Sequence, residues 1–302
     1  MRFPSPLRYP GGKAGLTEFL SSVIARNDLT GCSYYEPYAG GAGAALGLLQ
    51  AGAVSELFLN DADVRINAFW RSALNSSARF VERIQNVPLT IEEWYLQRDI
   101  CQNPSSHNEF DVGFAAFFMN RCNRSGVITG AGPIGGMEQS GNWRLDVRFN
   151  RDGLCDRINA LSRIREQIHI AGEDGVDFLK RTLPRGRGRN RVFSYLDPPY
   201  VNNGHKLYMN SFQQGNHADL ADYMHRQGTL PWIMSYDDSS LVRTLYARHK
   251  ISIMTIRYTL QEKRSARELI IAPHQLSVPA TCRTGGIDRV LEAIPAQEGA
   301  AV

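Results

Sequence analysis

The sequence predicts an α/β fold, a Rossmann-like, mostly parallel sheet with a mostly helical insertion. Three observations support this. Short apolar runs, too short for core helices, each end at an acid: Val192–Leu196 before Asp197, Glu56–Asn60 before Asp61, and Gln167–Gly172 before Glu173-Asp174. A strand-like run, Cys32–Pro37, passes through the glycine-rich turn Tyr38-Ala39-Gly40-Gly41-Ala42-Gly43 into a helical pattern, Ala44–Ala51. Between about residues 73 and 165 the β/α alternation is lost, and it resumes afterwards.

Composition bounds the function. The 302 residues are 43% hydrophobic and 21% charged, ordinary globular values that allow one large domain and a smaller insertion. No apolar run approaches the ~20 residues of a membrane span, and Met1–Pro6 lacks the apolar stretch of a signal peptide. A cytoplasmic location without membrane attachment is therefore expected. The five cysteines form no Cys-x-x-Cys pair and the histidines make no ligand pair, so reduced thiols and no metal site are expected. A net charge of +4 and a pI of about 8.8 permit an anionic partner without requiring one.

Taken in order, Leu7-Arg8-Tyr9-Pro10-Gly11-Gly12-Lys13 places a Gly-Gly pair between an aromatic ring and a lysine, ahead of a helix over Ala14–Arg26. Asp61 lies near the ~20-residue offset from the glycine turn at which an acid meets a ribose diol. A Gly-x-Gly-x-x-Gly fingerprint is absent, because Leu46 occupies its third position. Val64 to about Glu93 reads as helical, and Phe114–Met119 as a core helix segment. Asn120-Arg121-Cys122-Asn123-Arg124-Ser125-Gly126 and Trp143–Asn150, with Arg148, interleave cations and amides with aromatics, as contacts to phosphates and base edges require. The basic stretch Arg185–Arg191 enters a strand at its amino end, opposite the ligand edge, and reads as a structural loop. Val201–Phe212 reads as a lid, His217–Gln227 and Ser239–Arg248 as helices, and Pro231–Ser235, Ile251–Ile256 and Leu269–Ala272 as strands. After Gln275 the composition suggests a loose tail.

Asp197-Pro198-Pro199-Tyr200 is the chemical centre of the sequence. Two prolines cannot continue a ladder or open a helix, so the strand ends in a rigid corner bearing an acid, carbonyls and an aromatic ring. In open α/β sheets that edge is where ligands bind.

With these motifs in this order, the chain resembles the Dam-like family of adenine-N6 DNA methyltransferases over roughly residues 6 to 272. The matching residues are Leu7–Lys13, Tyr35-Glu36-Pro37-Tyr38-Ala39-Gly40, Asp61 and Asp197–Tyr200, with Lys263-Arg264 and Glu268–Ile271 resembling the last motif. Tyr38 stands where the family usually has phenylalanine, Ala42 at its second glycine, and Tyr9 where it often has tryptophan. The resemblance implies a methyltransferase sheet that binds S-adenosylmethionine, formed by residues 1–72 and 166–274, with a target-recognition insertion at 73–165 and a flexible tail at 275–302.

It also implies roles. Asp61 suits the ribose diol of S-adenosylmethionine, Lys13 its carboxylate, Asp174 or Gly175 its adenine edge, and Tyr9 a flat wall. Gly12, Glu36, Tyr38 and Gly40 belong to the same cofactor set, and Asp197 to both cofactor and catalysis. Asp197 and the Pro198 carbonyl accept from the adenine N6 amine, with Pro199 holding the turn and Tyr200 stacking on a base flipped out of double-stranded DNA. Asn120, Arg121, Arg124, Ser125 and Arg148 are the expected DNA contacts, and the state is expected to be monomer or weak dimer. The tetrad alone also fits an RNA adenine or a protein amide, and a DNA-binding subunit that holds the donor without turnover.

Overall fold

In this computed structural model residues 5–8, 13–201, 214–258, 264–284 and 287–294 are described. The helices are α1 (Thr17–Arg26), α2 (Gly43–Gln50), α3 (Val64–Asn75), α4 (Ser77–Asn86), α5 (Ile91–Gln102), α6 (Glu109–Cys122), α7 (Arg151–Arg163), α8 (Gly175–Thr182), α9 (Gln214–His225) and α10 (Ser240–Leu245). The strands are β1 (Cys32–Glu36), β2 (Val54–Asn60), β3 (Ile168–Ala171), β4 (Val192–Leu196), β5 (Trp232–Asp237), β6 (Lys250–Tyr258), β7 (Arg264–Ala272), β8 (Thr281–Thr284), β9 (Ile287–Val290) and β10 (Glu292–Ala293).

The main sheet has eight strands in the order β10-β6-β7-β5-β4-β1-β2-β3. β4 pairs in parallel with β1 (Tyr34 opposite Phe193) and with β5 (Tyr195 opposite Ile233). β7 runs antiparallel to β5 and to β6, so the sheet is mixed. Every residue of β4 and β5 is buried, the pattern of strands covered on both faces.

Contacts divide the chain into two compact units. One is Met1–Ala14, Ala39–Gly47 and Leu59–Glu173; the other is Gly15–Tyr38, Leu48–Phe58 and Asp174–Val302. The first is built on α6, an almost wholly buried helix started by Asn108, whose side chain accepts from the Asp111 N–H. Phe69 of α3 stacks on Phe117 at 6.0 Å, and Phe80 of α4 meets Phe117 edge-on at 5.3 Å, a T-shaped geometry suited to aromatic quadrupoles. The long helical stretch from Val64 breaks at Ser76 and before Pro88, giving α3, α4 and α5 in place of one element.

The second unit packs Tyr34, Tyr195, Trp232, Tyr236 and Tyr246 inside, with Tyr35 stacked on Phe58 at 4.4 Å. Residues after 274, expected to be loose, carry β8 and β9 as an antiparallel pair, and β10 adds to β6. Three of their apolar side chains, Leu276, Cys282 and Leu291, are buried while Val290 is exposed, and the three anchor this polar stretch. The five cysteines are all buried and free. Among the described residues no helix is long and apolar enough to cross a membrane, and no cluster could hold a metal ion.

α6 needs a glycine at 113. A Cβ there would lie 2.4 Å from the Ala68 carbonyl oxygen of α3, closer than side chains approach. Gly113→Ala is expected to lower stability by about 1–3 kcal/mol despite alanine's better helix propensity. Urea unfolding at a fixed pH measures the difference.

Candidate active site

β4 ends at Leu196, and the next residues form the corner. Asp197 Oδ1 accepts a hydrogen bond from the Ser235 hydroxyl at 2.9 Å, and Ser235 Oγ lies 2.7 Å from the Tyr195 hydroxyl. Ser235 belongs to β5, the parallel neighbour of β4, so sheet register sets this chain of contacts. Pro198 is buried and Pro199 half-buried. Beyond them the Val201 N–H donates to Asp237 Oδ1 at 2.9 Å, which fastens the far side of the turn to the end of β5.

Tyr200 is fixed at both ends of its ring. Its hydroxyl donates to Glu268 Oε1, and its ring lies 6.4 Å from that of Tyr236. Glu268 is a buried acid on β7 placed opposite Asp237. Tyr236 in turn contacts His217 Nδ1 through its hydroxyl. Ser235, Asp237, Glu268 and Tyr236 are absent from the expected site. Their signal was present in the acids and hydroxyl at the end of the Trp232 strand and in the Glu268–Ile271 motif.

In the same unit β1 delivers Glu36, 3% exposed, and then Tyr38. Burial, then the Glu36 charge, pushes the Tyr34 phenol well above its ordinary value. Tyr38 lies against Gly175, where a Cβ would come within 2.6 Å of its ring, so the first residue of α8 can carry no side chain. Burial and then the Asp174 charge raise the Tyr38 phenol. Asp174 is the N-cap of α8; its Oδ1 accepts from the Val176 and Asp177 N–H groups at 2.9 and 3.2 Å.

The first unit holds Asp61 and the glycine turn together. The Gly40 N–H donates to Asp61 Oδ2 at 2.8 Å and the Asp63 N–H to Oδ1 at 2.9 Å. Gly40 has a φ of +47°, open to glycine without strain, and its carbonyl accepts from Trp70 Nε1 at 2.9 Å. Asn60 pairs with the Glu173 peptide in both directions, at 3.0 and 2.9 Å. Burial pushes the Asp61 carboxyl up to about 7, against hydrogen bonds from the Asp63 and Gly40 amides that favour the charged form. Lys13, 8% exposed, is in this unit; Tyr9 and Gly12 lie outside the described residues. The expected lid, Val201–Phe212, lies outside them after Val201, as does Lys263.

The expected DNA contacts separate. Asn120 is fully buried: its Oδ1 accepts from the Arg8 N–H at 2.7 Å, and its Nδ2 donates to the Arg8 and Gly126 carbonyls at 2.6 and 2.7 Å. Arg121 is also buried and donates from Nη2 to the Pro6 carbonyl. Neither is a surface residue, because both face inward from the last turn of α6. Arg124, Ser125 and Arg148 are exposed. Ser125 and Gly126 take positive φ, +55° and +75°, in a turn pinned by Asn123, which accepts from Trp94 Nε1 and donates to the Val127 carbonyl. Trp143, 69% exposed, is nearby in sequence.

Residues 9–261 match the model of the D12 class N6 adenine-specific DNA methyltransferase family. The chain belongs to this family. None of the curated proteins matches it. A D12 methyltransferase transfers a methyl group from S-adenosylmethionine to the N6 amine of adenine in DNA, so the substrate that the tetrad alone left open is DNA. The α/β sheet agrees with that membership.

Asp61 gives this D12 methyltransferase a measurable signature. Its folded value lies above the ordinary 3.8, so its contribution to stability is complete below about pH 4 and is lost as pH rises through about 7. Asp61→Asn is expected to remove that loss. Relative to wild type, the variant should gain stability between pH 5 and pH 8, read from urea midpoints at both.

Proposed function

We propose that Asp197 and the Pro198 carbonyl are the acceptors that draw the adenine N6 amine toward tetrahedral geometry. The observation that carries this is the Ser235 hydrogen bond, which fixes the Asp197 carboxylate at the strand end. An exocyclic amine conjugated to the ring is a poor nucleophile. Two acceptors on its N–H groups stabilise the positive charge that develops only as the methyl bond forms. Asp197 acts as a hydrogen-bond acceptor, because a carboxylate is too weak a base to deprotonate a neutral amine. After transfer the amine, now cationic and acidic, releases its surplus proton to solvent.

The residues fit S-adenosylmethionine. Tyr38, packed on the side-chain-free Gly175, offers a flat ring suited to an adenine face, with Asp174 next to that glycine. Asp61 keeps lone pairs for a ribose diol beyond the two amides it accepts from. Lys13 suits the carboxylate, Asp197 the ammonium, and Tyr9, Gly12, Glu36 and Gly40 complete the set. S-adenosylmethionine supplies an electrophilic sulfonium methyl. Double-stranded DNA presents its target adenine flipped out, and Tyr200, held through Glu268, stacks on it.

The insertion at 73–165 carries the recognition surface, with Arg124, Ser125 and Arg148 as its exposed polar contacts. Residues 1–72 and 166–274 carry catalysis. The cytoplasm is the compartment that suits five free, buried thiols.

Incubation with DNA and labelled donor, followed by digestion to nucleosides, is expected to yield N6-methyladenine. Asp197→Ala should lower kcat by about 100-fold or more. Tyr200→Ala should weaken the transition state by about 1–3 kcal/mol, the worth of one stacked base, read from kcat/KM. Full activity in Asp197→Ala would falsify this mechanism.

A further inference from the structure

Two arginines of the first unit, Arg121 and Arg157, donate to the short segment Ser5–Arg8, which carries a third, Arg8, and among the described residues none of the three has an acid partner. Arg121 is 6% exposed; Nη2 donates to the Pro6 carbonyl, while Nε is buried with no hydrogen-bond partner. Arg8, two residues on from Pro6, has its backbone gripped by Asn120 on both sides, and its Nη1 is likewise buried and unpartnered. Arg157 of α7 donates from Nη1 to the Ser5 carbonyl at 3.3 Å. Arg148 adds a fourth positive charge to the field felt by Arg8 and Arg121.

Among the described residues no carboxylate forms an ion pair with any of the four. Besides burial, the largest influences on Arg8 and Arg121 are other arginines and the Cys122 thiol. Burial brings Arg121 down to about 9, with Arg157, Arg8 and Arg148 adding to the effect, so it stays charged at neutral pH. Burying cations beside one another is costly unless an anion joins them, and a guanidinium with free N–H groups is a ready fork for oxyanions. The fold pays this cost in a chain whose substrate is a polyanion.

We propose that Arg8, Arg121 and Arg157, with Arg148 beside them, bind one phosphate group of the DNA backbone. This rests on the reading of the chain as a DNA methyltransferase and goes beyond the exposed contacts Arg124 and Arg148. Arg8 and Arg157 gain a role, and Arg121 keeps one as a buried phosphate ligand. A phosphate held here carries no sequence information. It registers the duplex against the Ser5–Arg8 segment.

The test measures duplex DNA affinity at several salt concentrations for wild type, Arg8→Gln and Arg8→Lys, with folding checked by melting. Wild type should lose affinity steeply with salt; if it does not bind DNA at all, the DNA reading itself fails. Arg8→Gln should reduce the slope of log affinity against log salt by about one and weaken binding by roughly tenfold. Arg8→Lys, which preserves the charge, should keep the slope; if the glutamine variant does not fold, Arg157→Gln takes its place with the same expected loss of slope. In a second arm, inorganic sulfate should raise the wild-type melting temperature more than chloride at matched ionic strength.

Wild-type slopes in Arg8→Gln, with no extra protection by sulfate, overturn the proposal. Protection by sulfate with an unchanged slope assigns the site to a free oxyanion and overturns the DNA source. A reduced slope supports it with or without sulfate protection.

Discussion

The hydrogen bond from Ser235 to Asp197 is the contact on which the catalytic corner depends. Pro198 and Pro199 leave the backbone after β4 without ladder partners, so neighbouring elements must hold the turn. Ser235 holds its start and Asp237 its end, both from the buried strand β5. Tyr200 is then fixed from β7 through Glu268. The acceptors are thereby preorganised by the sheet, and little reorganisation is left for the moment of methyl transfer.

A similar economy holds in the first unit. Asp61 accepts from the glycine turn it is meant to serve, so the acid and the Gly40 backbone are placed by one another. Burial disfavours its charge while two amides favour it, and the outcome near 7 places its titration in the physiological range. Asn60, the residue before it, is occupied in tying β2 to the Glu173 peptide. Polar residues at strand ends thus divide into those that build the edge and those that face it.

The insertion shows the same division. By residue type the polar residues inside it form one DNA-facing set, and the fold sorts them. Asn120 and Arg121 lie on the buried last turn of α6 and bind the backbone of Pro6 and Arg8, whereas Arg124, Ser125 and Arg148 lie beyond its end. Residue type could not separate them, because an asparagine that pairs with a peptide and one that reads a base have the same side chain. Only the environment differs.

The sequence by itself determined the strands, the glycine turn, the corner after Leu196 and the family. These are local matters of apolar run length, backbone restriction by proline and glycine, and the order of motifs. Its reach stopped at distance along the chain. Glu268 comes to Tyr200 through an antiparallel return, Ser235 to Asp197 through a parallel neighbour, and Arg8 to Arg121 across more than a hundred residues. The strands after residue 274 are hidden from the sequence for the same reason, since Leu276, Cys282 and Leu291 are too sparse to show a pattern until a surface exists to bury them. Which acids are held, which cations are hidden and which end segments are ordered was decided by tertiary structure, because each depends on partners that packing alone brings near.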